Sequence, residues 1–332
     1  MKIHHALGPL AVILLANTAS AQEEAAGNPL ARAWGERMEK WAGLTLDDKL
    51  LLSRRDSTPG EAGTAVAQAR AQNEDYTSRP YLADRGDGIH TSIFGTYVRK
   101  QELLVYLFYE YARNRDAEYK PKDLGFGLDQ DFKAKHEEHE FLIFAAYGIT
   151  DSLAVEFESA LYTNATQSKS RSDPTGMPQT FRETGVGDTE GQIRYRWFEE
   201  TEVRPELITF FEAVFPLQKS KKMIGNRDWE LSLGVNVTKG FSWGTLMLKA
   251  AGAYSEADKK VDWGDWGIEY VKRLSDRWRL VLALDGTQDE VEAVVELQWK
   301  LRPNITLKLN SGFGVTSKAP EFAPEFGVLF SF

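Results

Sequence analysis

Few residues in this chain could carry covalent chemistry. The 332 residues include no cysteine, which excludes thiol nucleophiles, thiolate metal sites and disulfides. The one metal-like run is His136-Glu137-Glu138-His139-Glu140. In an extended strand a spacing of three points the two imidazoles to opposite faces, and no helical H-E-x-x-H context surrounds them. The run therefore reads as a solvated charged segment, and no metal is expected. His139 could act as a base at the rim of a barrel enzyme, but no G-x-S-x-G segment is present and no serine is tied to it, so no catalytic residue is assigned and no cofactor is expected. What remains is recognition chemistry. Arg194 and Arg196 sit two apart, the spacing of neighbours on one strand face. They could contact an anionic or aromatic ligand, and they suit a structural salt-bridge lattice equally well.

The elements that would position these side chains are strands. From Trp229 to Thr238, Trp229, Leu231, Leu233, Val235 and Val237 alternate with Glu230, Ser232, Gly234, Asn236 and Thr238. From Val291 to Lys300 the same period of two separates Val295, Leu297 and Trp299 from Glu296, Gln298 and Lys300. Segments of this kind are expected at 97–112, 139–149, 153–162, 187–198, 207–217, 229–238, 245–254, 265–273, 278–286, 291–300, 305–314 and 325–332. About ten residues with one apolar and one polar face is the length and pattern of a tilted transmembrane β-strand. Long polar connections are expected at 113–138 and 163–186, with tight turns such as Thr150-Asp151-Ser152 at the other end. That asymmetry, with an even strand count, predicts an all-β fold: a transmembrane antiparallel β-barrel of about twelve strands over residues 89–332, both ends on the short-turn side.

The flanking segment and the composition agree with export. Residues 1–21 combine Lys2, an apolar stretch from Leu7 to Ala16 and the small-residue site Ala19-Ser20-Ala21, which reads as a signal peptide cut after Ala21. Residues 22–88 carry helical spacing at Trp34, Met38 and Trp41 and again from Leu46 to Arg54, a helical or irregular periplasmic segment. A formal net charge of −9 argues against a general nucleic-acid binder. The 9 Trp, 12 Tyr and 18 Phe are many for a chain that is 27% charged. Trp197, Trp229, Trp266, Trp278 and Trp299, like Trp243 and Trp263, fall at strand ends or in turns, where interfacial girdles sit. The final strand, EFGVLFSF, ends on an aromatic Phe332, which resembles the signal read by bacterial outer-membrane assembly machinery. The N-x-T sequences at Asn164, Asn236 and Asn304 are chance matches, two of them inside strands.

The polar strand faces define a candidate lumen. Glu156, Glu158, Asp188, Glu190, Arg194, Arg196, Glu230, Lys249, Glu269, Arg279, Asp285, Glu296, Lys300 and Lys308 are expected to point inward. They mix signs with an acidic excess, which suits either a sealed lattice or ladders that orient a polar solute.

Two segments carry a family resemblance. Thr184 to Phe198, TGVGDTEGQIRYRWF, and Tyr147 to Tyr162, YGITDSLAVEFESALY, resemble the strand signature and hairpin of the outer-membrane family named for the MetA pathway of phenol degradation. The resemblance covers roughly residues 100–332. It implies an outer-membrane channel or transporter linked to aromatic-compound metabolism. The expectation from sequence is thus a bacterial outer-membrane channel passing a small solute, aromatic or anionic solutes among the candidates. Its expected partners are outer-membrane lipid and lipopolysaccharide, the barrel-assembly machinery and that solute, with no nucleic acid. The alternatives are an outer-leaflet barrel enzyme or a sealed structural barrel, and after them a soluble periplasmic sandwich.

Overall fold

Twisted and tilted strands coil the sheet until its two ends meet. The computed structural model describes residues 98–332 except 258, 288 and 289. The signal peptide and the 22–88 segment lie outside the described residues. Thirteen strands follow in order: β1 (Leu103–Tyr119), β2 (Phe132–Gly148), β3 (Leu153–Ser168), β4 (Thr180–Gly185), β5 (Thr189–Phe198), β6 (Glu206–Val214), β7 (Glu230–Phe241), β8 (Gly244–Ser255), β9 (Lys260–Arg273), β10 (Trp278–Gly286), β11 (Val291–Arg302), β12 (Ile305–Gly314) and β13 (Ala323–Ser331). Each pairs antiparallel with its neighbours, β2 with β3, and β1 with both β2 and β13. The ring is therefore a closed twelve-stranded barrel, because β4 is an extension. It pairs only with the outer half of β3, Thr163 to Ser168, while β5 takes the inner half. At the seam the backbones of Leu103 and Phe332 exchange two hydrogen bonds, 3.1 and 2.9 Å.

Several expected strand limits need correction. The first strand begins at Leu103 rather than residue 97, and about half of each connection expected at 113–138 and 163–186 is strand. β1 and β2 are 17 residues each and β3 is 16, longer than the roughly 9–11 that cross a bilayer. Their outer ends run on past that length, and there the apolar alternation stops. β10 and β12 match the expected limits. The tight turns have a local cause. The Thr150 hydroxyl accepts the Ser152 and Leu153 N–H groups, and the Ser275 hydroxyl accepts those of Arg277 and Trp278, which closes each turn on a Ser/Thr side chain.

The two faces of the wall differ as a membrane demands. Phe157, Ile193, Leu233, Leu248, Leu282 and Leu309 are large, apolar and exposed outward, while Leu104, Tyr106, Phe108 and Val281 are buried inward. An apolar exterior on this scale would be a liability in water and is what a lipid-facing band requires. Aromatics flank it. Trp278 stacks on Trp299 with centroids 5.4 Å apart, and Trp243 stacks on Phe241 and Tyr270 at the short-turn end. Trp229 packs on Phe215 at the long-loop end.

At that end three connections meet. The β1–β2 loop, the β3–β4 loop and the β6–β7 loop contribute Leu124, Met177 and Met223 to one apolar cluster with Tyr119, Phe132 and Phe181. The Glu183 carboxylate accepts the N–H groups of Lys222 and Met223, both at 2.7 Å, and the Lys222 ammonium donates to the Leu124 carbonyl at 2.8 Å.

Candidate functional site

The inward positions of the wall converge on two polar networks. One spans β11, β12, β13 and β1. The Lys308 ammonium lies 3.1 Å from the Glu296 carboxylate. Gln298 and Asn310 donate to the same carboxylate at 2.5 and 3.3 Å. The ammonium also stands 4.6 Å from the centroid of the Tyr106 ring, whose hydroxyl donates to Glu325. Tyr106 in turn stacks on Phe108. The second network spans β3, β5 and β6. Arg194 is 3.1 Å from Glu156 and 5.7 Å from the Phe210 centroid, and its Nε donates to Gln192. Gln192 passes the chain on to Glu212 at 2.5 Å. Six strands of the ring lie between β5 and β12 in one direction and four in the other, so the networks stand on nearly opposite walls.

Both networks occupy the layer most withdrawn from water. Glu269 and Glu296 are 0% exposed and Arg194 is 2%, so side chains fill the lumen there. Such buried charges persist only when paired and hydrogen-bonded, as Glu296 and Arg194 are. Toward the long loops the lining opens. Glu110, Glu158 and Glu190 are only partly buried. Among the described residues no hydrogen bond or ion pair within 4 Å reaches them. Glu110 lies within electrostatic reach of Glu140 and Glu325, and Glu158 within reach of Glu110, Glu190, Glu212 and Glu325. The outer half of the lumen is therefore an acidic vestibule above a filled floor.

The residues expected to line the lumen are placed as follows. Glu156, Glu158, Glu190, Arg194, Arg196, Lys249, Arg279 and Lys308 all share the inward alternation of their strands. Lys249 pairs with Asp265 at 3.2 Å. Asp188 sits in the break between β4 and β5, and Glu230 is exposed at the outer start of β7. The arginine pair does not act together. Arg194 belongs to the floor, whereas Arg196 braces the short-turn rim, reaching the Asp151 carbonyl at 2.6 Å, Glu199 at 2.7 Å and Glu206 at 3.5 Å. Sequence reasoning missed Tyr106, Phe108, Glu110 and Glu325. The alternation of β1 is blurred because its inward positions are aromatic as well as acidic. The imidazoles divide as expected. His139 bonds the outward Tyr109 hydroxyl at 2.6 Å, and His136 bonds Gln167 at 3.1 Å. Among the described residues no group of His, Asp and Glu could hold a metal ion. Asn236 is 1% exposed inside the wall, closed to any glycan.

No protein-family model matches the chain, and no curated protein matches it. Solved structures do. An outer membrane channel from Pseudomonas putida F1 is similar at a TM-score of 0.51 and 13% identity, over 71% of this chain and 97% of that one. The KdgM porin in complex with disordered oligogalacturonate aligns at 0.43 and 8% identity, over 69% and 99%. The toluene transporter TbuX of Ralstonia pickettii aligns at 0.37 and 7%, over 70% and 90%; neither of these two bears weight. The first likeness establishes the architecture alone: the chain folds as a closed β-barrel of the kind found in outer membranes.

Proposed function

We propose that this protein is an outer-membrane channel that passes a small solute without covalent chemistry. The observation that carries the reading is one closed wall with an apolar, aromatic-rimmed exterior and a charge-lined interior. A wall of that kind has its stable place in a bilayer, and its inner face can conduct a polar solute. The segments TGVGDTEG and YGITD support the family linked to phenol degradation. A solute held by free arginines is not supported, because Arg194 and Arg196 are both committed to carboxylates. The signal peptide, the terminal Phe332 as assembly signal, and outer-leaflet lipid as surroundings complete the reading.

The test is planar-bilayer conductance of the chain without residues 1–21, beside a form that also lacks 22–88. Steady conductance from either supports the channel, and conductance only from the shorter form assigns residues 22–88 as its plug. A second reading, a sealed structural barrel, is favoured by the filled floor. Silence from both forms, with the barrel folded by heat-modifiable gel migration, would establish it instead.

A further inference from the structure

The two mid-barrel ion pairs have a composition that a permanent seal does not need. Each holds one cation between a carboxylate and the face of an aromatic ring. Lys308 lies between Glu296 and Tyr106, and Arg194 between Glu156 and Phe210. A carboxylate joined to an aromatic face is the arrangement that recognises organic cations, the charge supplying attraction and the ring quadrupole adding to it once water is removed. An apolar plug would offer an entering solute nothing. When one cation replaces another the carboxylate stays paired, and the displaced side chain keeps an acidic neighbour to turn toward: Glu325 lies within electrostatic reach of Lys308, and Gln192 with Glu212 lies beside Arg194. The approach is also graded. A cation entering from the long-loop side meets the carboxyl groups of Glu110, Glu158 and Glu190 before it meets the floor, and each offers it an acceptor.

We infer that these two pairs are cation seats, filled at rest by the chain's own Lys308 and Arg194, and that the solute which displaces them carries an ammonium or guanidinium group. The inference rests on the channel reading and narrows it to organic cations. Lys308 and Arg194 stand on nearly opposite walls, each held by neighbouring strands of its own wall, and a permeant cation takes the place of one of them at a time. The carboxylates Glu296 and Glu156 select the solute, while Tyr106 and Phe210 favour one whose charge sits beside an apolar group.

The experiment uses benzylammonium and benzoate, an aromatic cation and anion of similar size, with the barrel in proteoliposomes. Uptake of benzylammonium is expected to exceed that of benzoate about tenfold, the ratio that a difference of one decade in affinity supplies. Glu296→Gln with Glu156→Gln is expected to bring the two to near parity. Lys308→Gln, which empties one seat, is expected to raise benzylammonium uptake several-fold and leave benzoate unchanged. Equal uptake in the unmodified barrel, or a preference that survives both glutamate substitutions, overturns the inference and leaves the pairs as braces. Heat-modifiable migration shows that each variant is folded. Where Lys308→Gln fails to fold, calorimetric titration of benzylammonium into the unmodified and Glu296→Gln barrels decides. Saturable binding that is reduced in Glu296→Gln and lost when Glu156→Gln is added, with no uptake, removes the channel reading and keeps the seats. Neither binding nor uptake removes both.

Discussion

Gly327 shows how narrowly the wall is built. A Cβ there would lie 2.5 Å from both Phe108 Cβ and Tyr106 Cε2 and 2.7 Å from the Leu107 carbonyl. It faces inward on β13 against β1, at the seam. Gly327→Val is therefore expected to cost at least the roughly 1–3 kcal/mol of an overpacked core, seen as a lower yield of the heat-modifiable folded band. A second residue reports on pH. Burial pushes the Asp173 carboxyl up, but the Thr175 N–H and hydroxyl and the Tyr119 hydroxyl outweigh it and hold the group below the usual carboxylate range. A group lowered in the folded state contributes stability above its unfolded value, near 3.9, and loses it as pH falls through the folded one. The β3–β4 loop, 169–179, should thus be tighter in the parent than in Asp173→Asn at neutral pH. The two should converge in acid, read as hydrogen exchange corrected for intrinsic rate.

Strands and loops divide by how well they could be read. Where the wall is apolar on its outer face and polar on its inner face, the sequence must keep a period of two, and β10 and β12 were legible to the residue. Beyond that stretch the contrast vanishes. Arg113 to Tyr119 and Phe132 to Glu138 mix charges on both faces, so the tall ends of β1 and β2 were hidden, as was β4 behind Val186-Gly187-Asp188. Trp197, Trp229, Trp278 and Trp299 fall at or near strand ends as expected, whereas Trp263 and Trp266 lie inside β9, because that strand starts at Lys260 rather than residue 265. Removing the Trp278 ring from its stack on Trp299 should cost about 0.5–1.5 kcal/mol beyond the area lost, measured as a lower urea midpoint for Trp278→Ala. Among the loops, Glu183→Ala deletes the acceptor of two backbone N–H groups in the β6–β7 loop, bonds to a charged group worth roughly 1.5–3 kcal/mol each. Proteolysis between residues 219 and 226 should quicken while the barrel band stays in place.

For the whole molecule, the closed wall was legible and the contents of its lumen only in kind. That Glu296, Lys308, Glu156 and Arg194 point inward follows from parity. That they pair does not, because register joins Glu296 to Asn310 and Gln298 to Lys308, and the ion pair runs diagonally across. A slip of one residue would send the same side chains to the outer face. The seam where Leu103 meets Phe332 has one more consequence. The strands that complete the ring are the two farthest apart along the described chain, so their contact has the greatest sequence separation in the fold and the heaviest loop-closure entropy. Closure must wait for the last strand. Any chain cut short of β13 keeps two open edges, each a template for aggregation, and the mature barrel appears in one late, slow step.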